Sequence, residues 1–341
     1  MNKKINVGII GLGRLGSTYS NYFAHRIPNA NLLAISDVRE ATLNDVAANY
    51  DIKKSYLDYH DLIADKEIDA VIITTPTNTH LEVVLECAKN NKAVFCEKPL
   101  SISLNEALLM QEAVESSGIF FHMGFMRRFD SGYAAAKKKI EEGIIGKPVV
   151  FKSTSRDPYR PSLEYAKGSG GLVADMGIHD FDLARWYMGD VKSVFSTGGV
   201  LAYPEMKKIN DIDNAIINLN FDSDALGVID LSRNGIYGYD IRTEILGTKG
   251  TLQIGYLRET PIRVMLKDGI THDAVPYFME RFENAYITQL QNFINNIIDG
   301  NEPSIKVADG VATLFISISA NNSFKKNKPM EIAAAKSSVG A

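Results

Sequence analysis

The stretch INVGIIGLGRLG, Ile5–Gly16, decides the fold of this chain. A short apolar run leads directly into three glycines with the spacing G-x-G-x-x-G, namely Gly11, Gly13 and Gly16. In a strand–turn–helix unit the first glycine permits the tight turn, the second lets the backbone approach a pyrophosphate, and the third lets helix and strand pack closely. The helix N-terminus then faces the phosphates with its free amides. The stretch therefore predicts a dinucleotide-binding unit, with a purely structural glycine-rich turn as the alternative.

The first third of the chain continues this pattern, because short, almost wholly apolar runs alternate with helical segments up to about Met123. Such alternation predicts an α/β fold class with a parallel sheet covered on both faces. After Met123 the segments show a period of two and are separated by turn residues, which predicts an antiparallel sheet.

Two domains follow from this change of pattern and from the length of 341 residues. We predict a Rossmann domain with a doubly wound parallel sheet over residues 1–123. Residues 124–341 are predicted to form an α+β domain for substrate binding and oligomerisation, with a large, mostly antiparallel open sheet. The tail AAAKSSVGA, residues 333–341, carries no structural prediction.

Composition excludes several classes of protein. The net charge is −4, acids and bases are mixed along the chain, and no basic stripe suited to nucleic acid is present. No apolar run approaches the roughly 18 residues of a membrane span. The N-terminal MNKK and its apolar run resemble a signal peptide, but Arg14 interrupts the run and a buried strand explains it better.

The two cysteines, Cys87 and Cys96, lie in apolar segments and lack the spacing of a metal-binding or redox pair. They are expected to be buried free thiols, which fits a reducing compartment. We therefore expect a cytoplasmic protein.

Asp37 ends the second predicted strand, 21 residues after Gly16. An acid at this place binds both ribose hydroxyls and repels a 2′-phosphate, which favours NAD over NADP. Arg39 follows two residues later and counts against that preference, because a nearby arginine accepts a 2′-phosphate. An ordinary acid in a turn is the alternative for Asp37.

Two further strand ends carry polar residues. Ligands of open parallel sheets bind beyond the carboxyl ends of the strands, and TTPTNTH, Thr74–His80, lies at one such end. There we expect residues that line the nicotinamide, although His80 could equally start the next helix without touching the cofactor. CEKPL, Cys96–Leu100, places Lys98 at the end of the following strand. The Lys98–Pro99 bond is a candidate for cis geometry, since only X–Pro bonds adopt it cheaply.

The stretch DMGIHDFDLARW, Asp175–Trp186, contains three carboxylates and one imidazole. If it is helical, Asp175, His179 and Asp182 share one face, and Trp186 continues that stripe. Three interpretations compete: a solvated face, a metal site and a proton-transfer site. A metal site would want a second histidine nearby. Proton transfer fits best, since histidine titrates near neutral pH and a carboxylate one turn away orients it.

These motifs together resemble the Gfo/Idh/MocA family of NAD(P)-dependent oxidoreductases over nearly the whole chain. The glycine motif, EKP and D-x-x-x-H-x-x-D occur in the order and spacing of that family. Three phrases resemble its inositol-oxidising branch: GFMRRFDSGY (Gly124–Tyr133), YGYDI (Tyr237–Ile241) and ERFENAY (Glu280–Tyr286). The resemblance implies a Rossmann domain followed by an α+β domain whose open sheet makes subunit contacts, often in tetramers.

The resemblance also assigns roles. Lys98, Asp175 and His179 would be the catalytic set, with His179 as the general base and no metal. Substrate hydroxyls would be contacted by this set and by Arg127, Asp157, Asp182 and Tyr237, the last from its own or a neighbouring subunit. The cofactor-binding residues are expected to be Gly11, Leu12, Gly13, Arg14, Leu15, Asp37, Val38, Thr75, Pro76, Asn78, His80, Glu97, Lys98 and Met126. Surface roles are the alternatives for Arg127 and Tyr237.

The implied reaction is NAD-dependent oxidation of myo-inositol, a small neutral polyol, at C2 to a keto-inositol. Scyllo-inositol or a pyranose such as glucose is the alternative substrate, and Asp157 leaves the stereoisomer open, because the branch also carries an amide there. A non-catalytic dinucleotide sensor and a metal-dependent enzyme are the alternatives from other classes.

Overall fold

In a computed structural model of the protein, residues 4–256 and 258–332 are described. The chain divides into two compact units, Met1–Phe125 with Tyr286–Ala312 and Met126–Ala285 with Thr313–Ala341. The predicted domains, 1–123 and 124–341, differ from this division in two respects, because the boundary follows Phe125 and because Tyr286–Ala312 groups with the first unit. The tail 333–341 lies outside the described residues.

The first unit is built on a six-stranded sheet in which every described pairing is parallel. Its strands are β1 (Ile5–Ile10), β2 (Ala30–Ser36), β3 (Lys54–Tyr56), β4 (Ala70–Ile73), β5 (Ala93–Glu97) and β6 (Phe121–Gly124). The order across the sheet is β3-β2-β1-β4-β5-β6. The order reverses between β1 and β4, which is where a doubly wound sheet binds dinucleotides. The predicted Rossmann sheet is confirmed.

Helices separate these strands along the chain. They are α1 (Arg14–His25), α2 (Glu40–Tyr50), α3 (Tyr59–Ala64), α4 (His80–Lys89) and α5 (Leu104–Ser117). The strands between them are buried almost throughout, as the apolar runs predict. Cys87 and Cys96 are buried free thiols, also as predicted.

The second unit contains a seven-stranded sheet of order β12-β11-β7-β10-β9-β8-β15. Its strands are β7 (Pro148–Arg156), β8 (Val191–Gly199), β9 (Asn214–Phe221), β10 (Leu226–Ser232), β11 (Asp240–Gly247), β12 (Thr251–Ile254) and β15 (Met330–Glu331). The pairing of β7 with β10 is parallel and the other described pairings are antiparallel. A separate hairpin joins β13 (Val264–Leu266) to β14 (Gly269–Thr271). The predicted, mostly antiparallel sheet is confirmed.

The remaining helices begin after the first unit's last strand. They are α6 (Ser131–Glu141), α7 (Leu163–Gly168), α8 (Gly171–Asp175), α9 (Gly177–Met188), α10 (Phe278–Asp299) and α11 (Val307–Lys326). Helix α9 packs against β7 and β10, in the middle of the second sheet. That packing fixes the helix carrying His179.

The last two long helices explain the shared end of the chain. Phe293 of α10 packs edge-on against Phe95 of β5, with ring centroids 5.7 Å apart, in the first unit. In the second unit, Ser323 of α11 accepts a hydrogen bond from the Ser196 backbone. The division between the units falls within both helices, at Tyr286 in α10 and at Thr313 in α11, so the change of pattern near Met123 could not show the return of the chain.

Candidate functional site

The glycine-rich turn has the geometry that its spacing predicts. Gly11 has a φ of +90°, and a Cβ on it would lie 2.9 Å from the Cα of Thr75. A Cβ on Gly16 would lie 1.9 Å from the carbonyl oxygen of Gly11. By contrast, a Cβ on Gly13 would meet nothing within 4 Å. The chain's own packing therefore explains Gly11 and Gly16, while Gly13 leaves backbone accessible from outside, as a bound pyrophosphate requires.

The neighbours of this turn are mostly exposed. Arg14 begins α1 and is exposed, Leu15 is half-buried, and Leu12 is buried. Val38 is 85% exposed, an unusual position for a large apolar side chain. Exposed apolar surface beside a strand end suits contact with a flat ring of a cofactor.

Asp37 is fixed directly against the turn. Its Oδ2 accepts a hydrogen bond from the backbone N–H of Leu12 at 2.6 Å, and Oδ1 accepts from Nε of Arg39 at 3.0 Å. Burial opposes ionisation of Asp37, but the bonds from Arg39 and Leu12 outweigh it and hold the pKa below its usual value. The carboxylate is therefore charged at neutral pH and repels a 2′-phosphate. Arg39, which counted against NAD in the sequence, lies paired with that same acid.

The end of β4 divides into exposed and buried members. Pro76 and Asn78 are exposed, and Thr75 is half-buried with its hydroxyl accepting from Thr79. His80 is buried, with Nε2 3.1 Å from the carbonyl oxygen of Thr75 and Nδ1 3.2 Å from that of Leu100. Burial lowers the pKa of His80. This geometry favours the structural alternative for His80, in which the buried ring lies between the ends of β4 and β5.

Lys98 immediately follows β5 and is half-buried, and the Lys98–Pro99 bond is cis, as the sequence suggested. Glu97, also predicted to contact cofactor, is buried and accepts a hydrogen bond from the Lys98 backbone N–H at 3.1 Å. Because all strands of this sheet are parallel, Lys98 lies at the same edge as the glycine turn, Asp37 and Thr75.

In the second unit the stretch Asp175–Trp186 is two helices rather than one. Asp175 ends α8 and His179 lies in the first turn of α9. Both are largely buried. The carboxylate of Asp175 accepts from the hydroxyl of Tyr165 at 3.2 Å, and its Oδ2 lies 3.6 Å from Nη2 of Arg233.

Arg233 joins Asp175 to a second acid. Its Nη1 donates to Oδ2 of Asp211 at 2.9 Å, and Oδ1 of Asp211 accepts from the backbone N–H of Leu172 at 3.0 Å. Gly171, with φ +86°, gives room for this contact, since its Cβ would lie 2.6 Å from Oδ1 of Asp211. The glycine-rich loop before α8 thus lets a fully buried guanidinium approach two carboxylates.

Asp180 is the most deeply engaged acid of the stretch. It is fully buried and accepts hydrogen bonds from Arg127 Nη1 at 2.9 Å and from the hydroxyls of Ser155 and Ser153. No role was predicted for Asp180, because it does not share the helix face predicted for Asp175, His179 and Asp182. Its contacts fasten α9 to β7 and engage Arg127, which was predicted to bind substrate.

Asp182 likewise has a partner inside the chain. Its two oxygens accept from Arg128, Oδ2 from Nε at 2.9 Å and Oδ1 from Nη2 at 2.6 Å. The Arg128 guanidinium lies 5.6 Å from the ring of Trp186. The predicted contact of Asp182 with a substrate hydroxyl therefore competes with a two-bond ion pair.

The other predicted substrate residues are more open. Asp157 is half-buried, and Tyr237 is 47% exposed with its hydroxyl donating to Asp240 at 2.8 Å. Met126, predicted to contact cofactor, is buried and begins the second unit.

Among the described residues, neither a metal-binding group nor a membrane-spanning helix is found. No group of three or more His, Cys, Asp or Glu side chains there is arranged to hold a metal ion. No helix there is long and apolar enough to cross a membrane.

Comparison with known proteins gives two family matches. Residues 5–125 match the Gfo/Idh/MocA model described as "oxidoreductase family, NAD-binding Rossmann fold". Residues 137–332 match the model described as "oxidoreductase family, C-terminal alpha/beta domain". The chain belongs to the Gfo/Idh/MocA family of oxidoreductases. As a member with the family's NAD-binding fold, the protein is an NAD-dependent oxidoreductase.

Relatives within this family are similar over nearly the full length. A myo-inositol 2-dehydrogenase of Thermotoga maritima is 41% identical over 330 residues, 96% of this chain and 98% of that one. A scyllo-inositol 2-dehydrogenase (NAD(+)) of Bacillus subtilis is 38% identical, covering 97% of each chain. The structure of a scyllo-inositol dehydrogenase from Lactobacillus casei, with bound NAD(H) and scyllo-inositol, has a TM-score of 0.93. It is 31% identical and covers 97% of this chain and 100% of its own.

Sequence reasoning missed the partners of the family's acidic residues. Tyr165 and Arg233 contact Asp175, and Asp211 pairs with Arg233, yet the three are spread over separate parts of the sequence and match no local motif. The available signal was the pair of adjacent glycines at the start of α8, Gly170 and Gly171. Adjacent glycines indicate a left-handed backbone or the close approach of another group, which here is the carboxylate of Asp211.

Proposed function

We propose that the protein oxidises myo-inositol at C2 to 2-keto-myo-inositol (scyllo-inosose), with NAD as the hydride acceptor. The observation that carries this proposal is full-length similarity to myo- and scyllo-inositol 2-dehydrogenases, one of them solved with NAD(H) and scyllo-inositol bound. Gly13, Asp37 and exposed Val38 support NAD as the cofactor, since together they offer open backbone, a charged acid and apolar surface.

When bound, NAD takes a hydride from the substrate carbon, and the chain's own residues handle the proton. His179 accepts the hydroxyl proton of C2 as the C–H bond breaks and the carbonyl forms. The ammonium of Lys98 stabilises the oxygen, which carries negative charge until the carbonyl is complete. Asp175 orients His179 and stabilises the imidazolium.

The surroundings of Asp175 support this role. A largely buried carboxylate needs hydrogen-bond donors or a positive charge beside it. The guanidinium of Arg233, 3.6 Å away, supplies the compensating positive charge, and the Tyr165 hydroxyl donates a hydrogen bond. Asp211 in turn neutralises the fully buried Arg233.

Substrate hydroxyls are proposed to contact Lys98, Asp175 and His179 and, in addition, Arg127, Asp157, Asp182 and Tyr237. A buried polyol needs a donor or acceptor for each hydroxyl, which suits a lining of both charges. Arg127 and Asp182 already share ion pairs with Asp180 and Arg128, so each would contact a substrate hydroxyl alongside that partner.

Scyllo-inositol is the second candidate substrate, and it is favoured by the similarity to the Bacillus subtilis and Lactobacillus casei proteins. The two isomers differ at C2, where the hydroxyl is axial in one and equatorial in the other. Steady-state rates of NAD reduction with each isomer distinguish them. A higher kcat/KM for scyllo-inositol than for myo-inositol would show that scyllo-inositol is the preferred substrate.

A homotetramer in the cytoplasm, acting in inositol catabolism, completes the proposal. The open face of the second sheet supports self-association, since Leu226, Val150 and Leu246 follow one another across three strands, and both leucines are exposed. An exposed apolar sheet face of this kind commonly marks a protein interface. Light scattering coupled to size exclusion gives the oligomeric state, and a monomeric mass would contradict it.

A further inference from the structure

A buried polar chain runs through the first unit to Lys98. Nε2 of Gln289 donates to the hydroxyl of Tyr19 at 2.9 Å, and that hydroxyl donates to Oε1 of Glu97 at 2.5 Å. The other oxygen of Glu97 accepts from the backbone N–H of Lys98 at 3.1 Å. Tyr19 and Gln289 are fully buried and Glu97 is 5% exposed. This series of hydrogen bonds therefore connects α10, α1 and the end of β5.

The surroundings hold the carboxyl group of Glu97 in one place. A Cβ on Gly124 of β6 would lie 3.0 Å from Oε1 of Glu97, so glycine makes the room that the carboxyl occupies. The ring of Tyr19 packs on Phe95 and Tyr286, with centroids 6.1 Å and 6.0 Å away. Because α1 begins at the glycine turn, this contact also joins the cofactor helix to the strand end that carries Lys98.

The charge on Glu97 is finely balanced. Burial raises its pKa to about 7, while the hydrogen bond from Tyr19, the charge of Lys98 and the Lys98 backbone N–H favour the ionised form. The titratable groups facing this chain are Tyr19 from α1, Lys98 and Cys96 beside Glu97, and Tyr286 from α10. Burial, followed by the charge of Glu97, raises the pKa of Tyr19, so its hydroxyl stays a neutral donor.

The donors and acceptors of this hydrogen-bond chain can exchange roles when Glu97 takes up a proton. A protonated carboxyl has to donate, and the Tyr19 hydroxyl is then its acceptor. Tyr19 in turn needs an acceptor, and Oε1 of Gln289 is buried without a hydrogen-bond partner among residues 4–256 and 258–332. A turn of the Gln289 amide supplies that acceptor, so both protonation states have a satisfied arrangement.

We propose that Glu97 is a positioning residue for Lys98 in its ionised form, which the hydrogen bond from Tyr19, itself held by Gln289, favours. This inference rests on the proposed role of Lys98 as the group that stabilises the substrate oxygen. The ionised carboxylate fixes the Lys98 backbone N–H and favours the charged ammonium. Protonation of Glu97 removes the negative charge beside the lysine, so turnover falls on the acidic side of neutrality.

The test compares Tyr19→Phe with Tyr133→Phe. Both substitutions delete one hydroxyl of a fully buried tyrosine. The hydroxyl of Tyr133 belongs to the second unit, where it lies 3.1 Å from Oγ1 of Thr243 in the same unit. Tyr19→Phe removes a bond that favours the ionised Glu97, so the acidic midpoint of kcat against pH is expected to rise by about one unit. With a wild-type midpoint near pH 7, this corresponds to a loss of about 5-fold in kcat at pH 7 and of about 10-fold well below pH 7, with recovery at pH 9. Tyr133→Phe is expected to leave the midpoint unchanged.

A second readout does not depend on turnover. Because burial raises the pKa of Glu97 above its ordinary value of 4.5, the stabilising contribution of its protonated form is complete below that value and is lost as pH rises through about 7. The melting temperature, measured from pH 5 to pH 9, should therefore continue to fall to a higher pH in Tyr19→Phe than in wild type or Tyr133→Phe. Gln289→Met is expected to shift both readouts in the same direction by less, and it replaces Tyr19→Phe should that variant not fold.

Identical pH dependences in Tyr19→Phe, Gln289→Met and Tyr133→Phe would overturn the inference. Failure of the proposed function gives a different result, because wild type would then not reduce NAD with any inositol while the melting curves still report on Glu97.

Discussion

The glycine turn of the first unit and the Asp175–Trp186 stretch of the second are both short and rich in motif residues, but they acquire their roles differently. At the turn, backbone geometry requires glycine at two positions. Gly11 has a positive φ, and a Cβ on Gly16 would collide with the carbonyl oxygen of Gly11. In the second stretch, three similar carboxylates are given different tasks by distant partners. Arg127 lies 53 positions from Asp180, and Arg128 lies 54 positions from Asp182.

The difference shows which roles a local pattern reveals. A backbone conformation is encoded by the residues that adopt it, so the turn is legible from its spacing. The environment of a carboxylate depends on which arginine the fold brings to it. Four substitutions, in order of decreasing effect, test whether the two regions differ in this way.

His179→Asn should produce the largest loss. Removing the proposed general base is expected to lower kcat by about 10²–10⁴-fold, because proton transfer to a positioned histidine contributes that much. Steady-state rates measure kcat, and NADH fluorescence titration provides the control, since cofactor affinity should not change. A variant with near wild-type kcat would remove His179 from the catalytic set.

Asp180→Ala should mainly affect stability. The substitution leaves Arg127 buried without its carboxylate, and breaking such a pair typically costs about 3–5 kcal/mol in the free energy of unfolding. Urea unfolding of this variant is compared with Asp190→Ala, which loses an exposed ion pair with Arg185 and should unfold nearly as wild type does. Equal stabilities of the two variants would show that Asp180 does not anchor α9.

Lys98→Ala distinguishes the enzyme from a dinucleotide sensor. The enzyme should lose about 10²–10³-fold in kcat, as when one stabilising donor is removed from a developing oxyanion, while still binding NADH. Steady-state rates and NADH titration measure the two quantities. Unchanged behaviour in both would favour the sensor.

Asp37→Ala should have the smallest effect of the four on the rate and act on the cofactor alone. Loss of a charged partner for the ribose is expected to raise KM for NAD by about 10–100-fold, because hydrogen bonds to charged groups contribute 1.5–3 kcal/mol. Because the charge repelling a 2′-phosphate is also lost, the preference for NAD over NADP should narrow. Arg39→Ala, which keeps the acid, is the matched control and should retain the NAD preference.

The fold was predictable where the signal was local. The alternation of apolar runs and helices predicted the parallel sheet, and period-two segments predicted the mostly antiparallel one. The return of Tyr286–Ala312 to the first unit was missed, because an amphipathic helix does not show which unit its apolar face will contact.

The candidate site was predictable to the same extent. Its chemistry-bearing residues, such as Lys98 and His179, stand in recognisable motifs. Their supporting groups do not, since Arg233 and Tyr19 appear in the sequence as an ordinary strand-end arginine and a helical tyrosine. Long-range packing alone makes them partners of Asp175 and Glu97.

The central claim is that this NAD-dependent oxidoreductase acts on a cyclitol. The most direct measurement is the steady-state rate of NAD reduction with myo-inositol, scyllo-inositol and glucose, repeated with NADP for each. We expect the highest kcat/KM with myo-inositol and NAD, and a lower kcat/KM for myo-inositol with NADP. Absence of NAD reduction with both inositols would contradict it.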